Sequence, residues 1–449
     1  MSVSKEFAQY VTTLRYADMP AEVVAFAKIC ILDWLGSALA GSSKPPVQMI
    51  AQVAAELGGA EQATLMTGGR SSVTHAALIN GASSHIVELD DIHKASIIHA
   101  GTVVIPAALA IAEWKQKSGE ELIEAVVAGY EVCYRIGEAV SPSHYYYWHN
   151  TATCGTFGAA VAASKLLGQN EEQIVHTLGS AGTQAAGLWE FIEDGAMSKQ
   201  LHPGKAAMNG IVAALLAEKG FTGASKILEG DRGFVRAMSQ EGNAEEMTRG
   251  LGSVYKILEN SFKIHASCRH THHAIDLMVA MIAQHGISWR EVEKVRVQTY
   301  QVALTITDNP DPATVYAAKF SLQYCVALAL VKGSAGLTDF SEEALHDPAI
   351  REVMRRVEVS VDPAIHARYP EKWEAAVELE LADGSTLQQH TEYPKGDPEN
   401  PVKYEEIVQK FRALTLDQPQ ETIHHYLRMI ENLEQVPDVT MFFAQIKGR

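Results

Sequence analysis

The chain has 449 residues, 47% of them apolar and 20% charged, with a formal net charge of −17. This is the profile of a globular protein with a large core, and the negative sign disfavours nucleic acid and acidic membrane surfaces as partners. Five cysteines (Cys30, Cys133, Cys154, Cys268, Cys325) are scattered without a CxxC pair, which predicts a reducing compartment and no metal framework.

The opening MSVSKEFAQYVTTLRYADMP reads as an amphipathic helix rather than a signal peptide. No uninterrupted apolar run reaches the roughly 18 residues of a membrane span. The longest, around 29–40 and 211–217, are short and bounded by charge. A soluble, cytoplasmic protein is expected. Residues 1 to about 260 then read as helix after helix. PAEVVAFAKICILDWLGSALAG starts at Pro20 and stops at Gly41, and GEELIEAVVAGYEVCYRIGEAV has an acidic first turn after Gly119. GTFGAAVAASKLLG and KAAMNGIVAALLAEKG carry small-residue faces that let helices approach closely.

Beyond about Ser267 the pattern changes. VEKVRVQTYQVAL, REVMRRVEVSVDP and WEAAVELELADGSTLQQHTEYP alternate apolar and polar residues and predict strands, the last with a hairpin turn at Asp383–Gly384. Helical patterns at 271–285 and 318–332 lie between them. From Pro401, NPVKYEEIVQKFRALT and HHYLRMIENLEQ return to helix. The fold class expected is mainly α: a large helical domain built from both chain ends (1–264 and 401–449) with an inserted, smaller α+β lid domain (265–400).

The polar residues gather in four knots. GASSHIVELDDIHKASIIHAGTVVIP packs His85, Glu88, Asp90, Asp91, His93 and His99 into a short interval. Such groups are costly in a core unless paired or solvated. Pro106 reads as the first turn of the following helix, which would place an anion near its N-terminus. The second knot is His149, between an aromatic run and a small-residue helix. The third is MSKQLHPGKAAMNG, where Lys199, His202 and Lys205 crowd a helix start opened by Pro203–Gly204 and suit an anion. The fourth, SFKIHASCRHTHHAIDL, is dense in histidine but matches no zinc spacing, so no metal is expected. GxGxxG, GxxxxGK[ST] and GxSxG motifs are absent. What remains is acid/base chemistry by His and carboxylates, with Lys and Arg clamping carboxylates.

Taken together, GASSHIVELDDIH…HAGTVVIPAALAIAE, HNTATCGTFGAAVAASKLLG, GAMSKQLHPGKAAMNGIVAALLAEKGFTG, KIHASCRHTHHAIDL and AKFSLQYCVALALVKG resemble the MmgE/PrpD family over most of the chain. The resemblance implies a helical domain with a smaller α+β lid, a homodimer, and cofactor-free chemistry on a small di- or tricarboxylate. The family spans 2-methylcitrate dehydratase, cis-aconitate decarboxylase and iminodisuccinate epimerase. A lyase is therefore expected, with an epimerase or racemase of an amino- or imino-dicarboxylate as the alternative and a non-catalytic carboxylate-binding homologue as a third reading. Carried over by position, Asp91, His99, His149 and Lys199 are the catalytic candidates. Cys268 joins them as a possible second-face proton donor in the epimerase reading. Glu88, His202, Lys263, Arg269 and Tyr324 are the substrate-binding candidates. Two positions depart from the decarboxylase branch: Glu88 stands where it has Asp, and Cys268–Arg269 where it has His. The resulting CR-x-TH form resembles the epimerase-type branch.

Overall fold

The computed structural model describes residues 2–443. The chain divides into two compact units, Met1–Asn260 with Lys403–Arg449, and Ser261–Val402. The first is helical and the second mixes helices with a sheet, so the fold is mainly α with a smaller α+β unit.

In the first unit, α1 (Ala21–Gly41) is the core helix. Among the described residues it is the one helix long and apolar enough to cross a membrane, yet 67% of its apolar window is buried in the protein. It packs on α2 (Val73–His85), α3 (Gly101–Trp114) and α4 (Gly119–Val140), and these in turn pack on α5 (Asn150–Leu166) and α6 (Ser198–Glu218). The caps follow the side chains available. Ser72 accepts from the His75 amide, and Ser118 with Glu121 forms a reciprocal capping box. Glycines decide how closely two helices meet at the site. A Cβ on Gly81 of α2 would stand 2.9 Å from Gly204 Cα of α6, and one on Gly204 would be 2.1 Å from Leu78 O. Backbone therefore touches backbone, which brings the first turns of α6 against the end of α2.

The prolines correct the expected helix starts. Pro106 and Pro203 lie inside α3 and α6, not in their first turns. Each lacks an amide to continue the ladder, but by then the helix is fixed by its buried small-residue face. The shift matters for function. His99 lies two residues before Gly101, the first residue of α3, and Lys199 is already helical.

In the second unit, α7 (Arg269–His285) and α8 (Leu322–Lys332) accompany a four-stranded sheet. Its order is β2-β1-β3-β4, from β1 (Val292–Thr299), β2 (Val357–Val361), β3 (Ala375–Leu381) and β4 (Thr386–Thr391). β1 pairs in parallel with β2 and antiparallel with β3, and β3–β4 is the hairpin expected at Asp383–Gly384. One end of each of two stretches expected as strand is helix instead: residues 301–304 belong to the helix Gln301–Thr307 after β1, and residues 351–354 to the helix Pro348–Met354 before β2. Pro348 at a first helical position, behind the Asp347 cap, explains the second. The chain then returns to the first unit with α9 (Tyr404–Leu414), packed on α1 at Gly36, where a Cβ would stand 3.1 Å from Phe411 Cδ2.

Candidate active site

The site is built on the loop from Ile86 to Ala100, between α2 and α3. His85 ends α2 and is fully buried. Its Nδ1 donates to Asp90 Oδ2 at 2.7 Å, and His99 Nδ1 lies 3.1 Å from the same oxygen. His99 Nδ1 also donates to the Asp91 carbonyl at 2.7 Å. These contacts assign the ring proton of both imidazoles to Nδ1 and leave each Nε2 as a base. His85 Nε2 and Asp90 Oδ1 are buried without a hydrogen-bond partner, a cost of about 1–3 kcal/mol each that a bound molecule would relieve. Burial lowers the His85 pKa. Burial also pushes Asp90 up, but the attraction and hydrogen bonds of the two imidazoles outweigh it and hold Asp90 well below the usual carboxylate range.

α5 and α6 add the other half. His149 is the residue before α5, fixed by its amide to Gly187 O at 2.9 Å. Its Nδ1 is 3.1 Å from His202 Nδ1, so one ring donates and the other accepts. Ring centroids of His99–His85, His85–His149 and His149–His202 are 5.0, 5.7 and 5.3 Å apart, a continuous run of four imidazoles. Trp189 packs edge-on against His149 and Phe191 against His202. Burial, aided by the neighbouring His202, His85 and Lys199, holds His149 well below the usual histidine value. Burial lowers His202 to about 4. Both are neutral near pH 7 and able to accept protons.

Lys199 of α6 forms a buried ion pair with Glu88. Glu88 is in the left-handed region at φ 59°, a strained conformation for a side-chain-bearing residue and one that clusters at functional sites. The expected knot of three cations is corrected here. His202 is neutral, Lys205 turns away to donate to Ala186 O, and Lys199 carries the charge that meets the loop.

Asp91 also takes a different place from the one expected. Its carboxylate accepts from the Gly101 amide (3.0 Å), the Tyr130 hydroxyl (2.6 Å) and Asn260 Nδ2 (2.8 Å). It caps the positive end of α3. The carboxylate against His99 belongs to Asp90, one residue earlier. Asp90 and His85 were both visible in the sequence cluster, but spacing alone did not single them out.

In the second unit Lys263 and Tyr324 are buried, and burial raises the Tyr324 pKa. Arg269 is not a free clamp. Its guanidinium pairs with Asp397 and donates to Lys395 O and His272 Nδ1, each at 3.0 Å. Cys268 caps α7 and is 8% exposed, with its amide on Lys319 O. His270 bonds Tyr300 Oη and stacks on Trp373, His273 bonds Thr299, and His265 bonds Asp276.

Two sets of groups have metal-binding composition among the described residues: His85, Asp90 and His99, and His93, Glu138 and Glu259. In the first, His85 Nδ1, His99 Nδ1 and Asp90 Oδ2 are already engaged with one another and with the Asp91 carbonyl. In the second, Lys256 bridges both carboxylates at 2.9 and 3.0 Å.

Comparison with known proteins agrees with this architecture. Residues 5–247 match the MmgE/PrpD N-terminal domain and residues 265–434 the MmgE/PrpD C-terminal domain. The cis-aconitate decarboxylase of Aspergillus terreus is 29% identical over 438 residues, covering 92% of this chain and 89% of that protein. The cis-aconitate decarboxylase of Homo sapiens is 25% identical over 474 residues, covering 100% of this chain and 95% of that one. The 2-methylcitrate dehydratase of Escherichia coli is 25% identical over 251 residues, 53% of this chain and 52% of that one.

Proposed function

This chain belongs to the MmgE/PrpD family and is a lyase, and from that premise we propose that it acts without a cofactor on a small di- or tricarboxylate. The observation that carries the reading is the Asp90 carboxylate shared by His85 and His99, beside the neutral pair His149–His202 and the Lys199–Glu88 ion pair. The hard step in this chemistry is forming or quenching a carbanion next to a carboxylate. A neutral imidazole with its Nδ1 proton held by Asp90 is a base at Nε2 and, once protonated, an acid. His99 and His149 are the proton-transfer residues of the proposal, and Asp90 orients His99 and His85. The Lys199 ammonium disperses negative charge as it develops. Lys263 and Tyr324 remain proposed carboxylate-binding residues on the family resemblance. Arg269 is assigned instead to holding the start of α7 through Asp397.

In the dehydratase form, the base takes a C–H proton while a protonated group delivers a proton to the departing hydroxyl, so water leaves and an alkene forms. In the decarboxylase form, carbon dioxide leaves first and the acid quenches the carbanion. An epimerase is the second reading, and Cys268 at the head of α7 is the observation that favours it. A homodimer in the cytoplasm completes the proposal. The resemblance supports the first, and five free, buried cysteines fit the second.

Proton NMR in deuterated water, with a panel including cis-aconitate, 2-methylcitrate and amino-dicarboxylates, tests the reading. A new alkene or loss of carbon dioxide is the expected result. Deuterium entering the α-position without a new product would transfer the assignment to the epimerase. No change with any member of the panel would remove the proposed substrate class.

A further inference from the structure

The loop that carries Glu88, Asp90 and Asp91 is gripped from behind by a residue near the other end of the chain. Lys410 of α9 donates from Nζ to Leu89 O at 2.5 Å and to Asp33 Oδ1 of α1 at 2.6 Å. Leu89 stands between the partner of Lys199 and the partner of His85 and His99. We infer that Lys410 is a positioning residue for the reaction: by fixing the Leu89 carbonyl it sets the directions in which Glu88 and Asp90 present their carboxylates. The inference rests on the proposal that this loop carries the chemistry.

Three observations support it. The ion pair is almost wholly buried, with side-chain exposures of 9% for Lys410 and 1% for Asp33. Such pairs often add no stability over apolar residues of equal volume, so packing alone is a weak reason for this one. Asp33 is poorly served as a structural anion: its Oδ2 has no partner, and burial raises its pKa to about 7 even with Lys410 beside it. The loop also needs an external hold, because Glu88 at φ 59° is in a conformation that its own backbone disfavours. The docking of α9 at Gly36 of α1 sets the Lys410 side chain between Asp33 and Leu89.

Hydrogen–deuterium exchange on the full chain tests this without any substrate, using Lys410→Met, Asp33→Leu/Lys410→Met and Asp33→Asn. The double variant removes the clamp without leaving a buried lone carboxylate, and Asp33→Asn keeps an acceptor for Lys410. Loss of a charged hydrogen bond is expected to speed exchange of the segment 86–92 by roughly 10-fold or more in both variants lacking Lys410. Asp33→Asn should leave it near wild type. On whichever panel compound turns over, the double variant should lower kcat with KM little changed, since orientation is lost while binding groups remain. Wild-type exchange over 86–92 without Lys410 would overturn the inference. So would faster exchange spread evenly over the helices of the unit, which would mark general loosening. If no panel compound reacts, the proposed substrate class fails while the exchange result still decides the role of Lys410.

Discussion

The two units each hold a cluster of histidines, and the comparison between them shows what separates a site from a packed core. In the second unit, His265, His270, His272 and His273 crowd nine residues of sequence. Each is satisfied by a structural neighbour: Asp276, Tyr300, Arg269 with Ser267, and Thr299. Burial lowers His270 and His273 to about 3, and they serve as polar core. In the first unit, His85, His99, His149 and His202 come from four places in the chain. His85 and His99 share the Asp90 carboxylate and His149 pairs with His202, while His85 Nε2 and Asp90 Oδ1 have no partners and a buried lysine pairs with Glu88 of the same loop. Histidine density along the chain does not distinguish the two clusters. The difference lies in the histidines themselves: those of the second unit are each paired, whereas His85 of the first keeps unmet hydrogen-bonding capacity on the loop that carries the Lys199–Glu88 ion pair.

The sharpest way to break this comparison is a matched pair of substitutions. His99→Gln should cut turnover by ~10²–10⁴-fold, the usual worth of a proton-transfer group, with little change in melting temperature. His270→Gln should leave turnover near wild type but lower the melting temperature by roughly 2–8 °C, because a buried bond and a stacked ring are lost. Reversed outcomes would exchange the roles of the two clusters.

Lys199→Ala should cost ~10²-fold or more in turnover. It also leaves Glu88 buried without its partner, so the melting temperature should fall. Adding Glu88→Gln should recover the melt and not the turnover. Recovery of both would make Lys199 a merely structural ion-pair partner.

Cys268→Ser sharpens the lyase reading against the epimerase one. The hydroxyl keeps the size but cannot serve as a proton carrier in the thiol's range. A lyase should keep most of its turnover, whereas an epimerase using Cys268 should lose nearly all of it. Kinetics with the substrate found by NMR decide the matter.

Acid should destabilise the fold, and the sign follows from the direction of the shifts. Burial lowers seven histidines: His85, His144, His149, His202, His270, His272 and His273. Their contribution to stability is present above the unfolded value of about 6.5. It is lost as pH falls through that value towards 4, because the unfolded chain takes up the protons first. Asp33 and Glu131, raised by burial to about 7, oppose this by gaining stability as pH falls through 7. The histidines outnumber them, so the melting temperature should drop between pH 7 and 4.5, and His270→Gln should reduce that slope. A melting temperature independent of pH would contradict the buried, neutral state of these seven histidines. The smallest effect is expected from chelators: EDTA should leave turnover unchanged, and loss of activity together with a bound metal would overturn the hydrogen-bonded reading of His85, Asp90 and His99.

Much of the architecture is legible in local pattern. The acidic first turn after Gly119 announces α4, Asp383–Gly384 announces the β3–β4 hairpin, and the change from helical period to alternation near residue 267 announces a second kind of unit. These signals are local because caps, turns and apolar periodicity act within a few residues. The helix starts at Pro106 and Pro203 were misplaced because proline marks a first turn only when burial does not extend the helix before it.

The choice of Asp90 over Asp91 lay beyond any local rule. The two are adjacent and chemically identical, and what divides them is tertiary: the α3 terminus, Tyr130 and Asn260 claim one, while His85 and His99 claim the other. Arg269 differs from its expected role for the same reason, since Asp397, 128 residues away, engages its guanidinium. Composition and period by themselves determined that this chain would form a large helical unit with a smaller unit of helices and a sheet. Which carboxylate faces which imidazole was decided only by folding, because hydrogen bonds and ion pairs depend on distances in space that residue spacing does not encode.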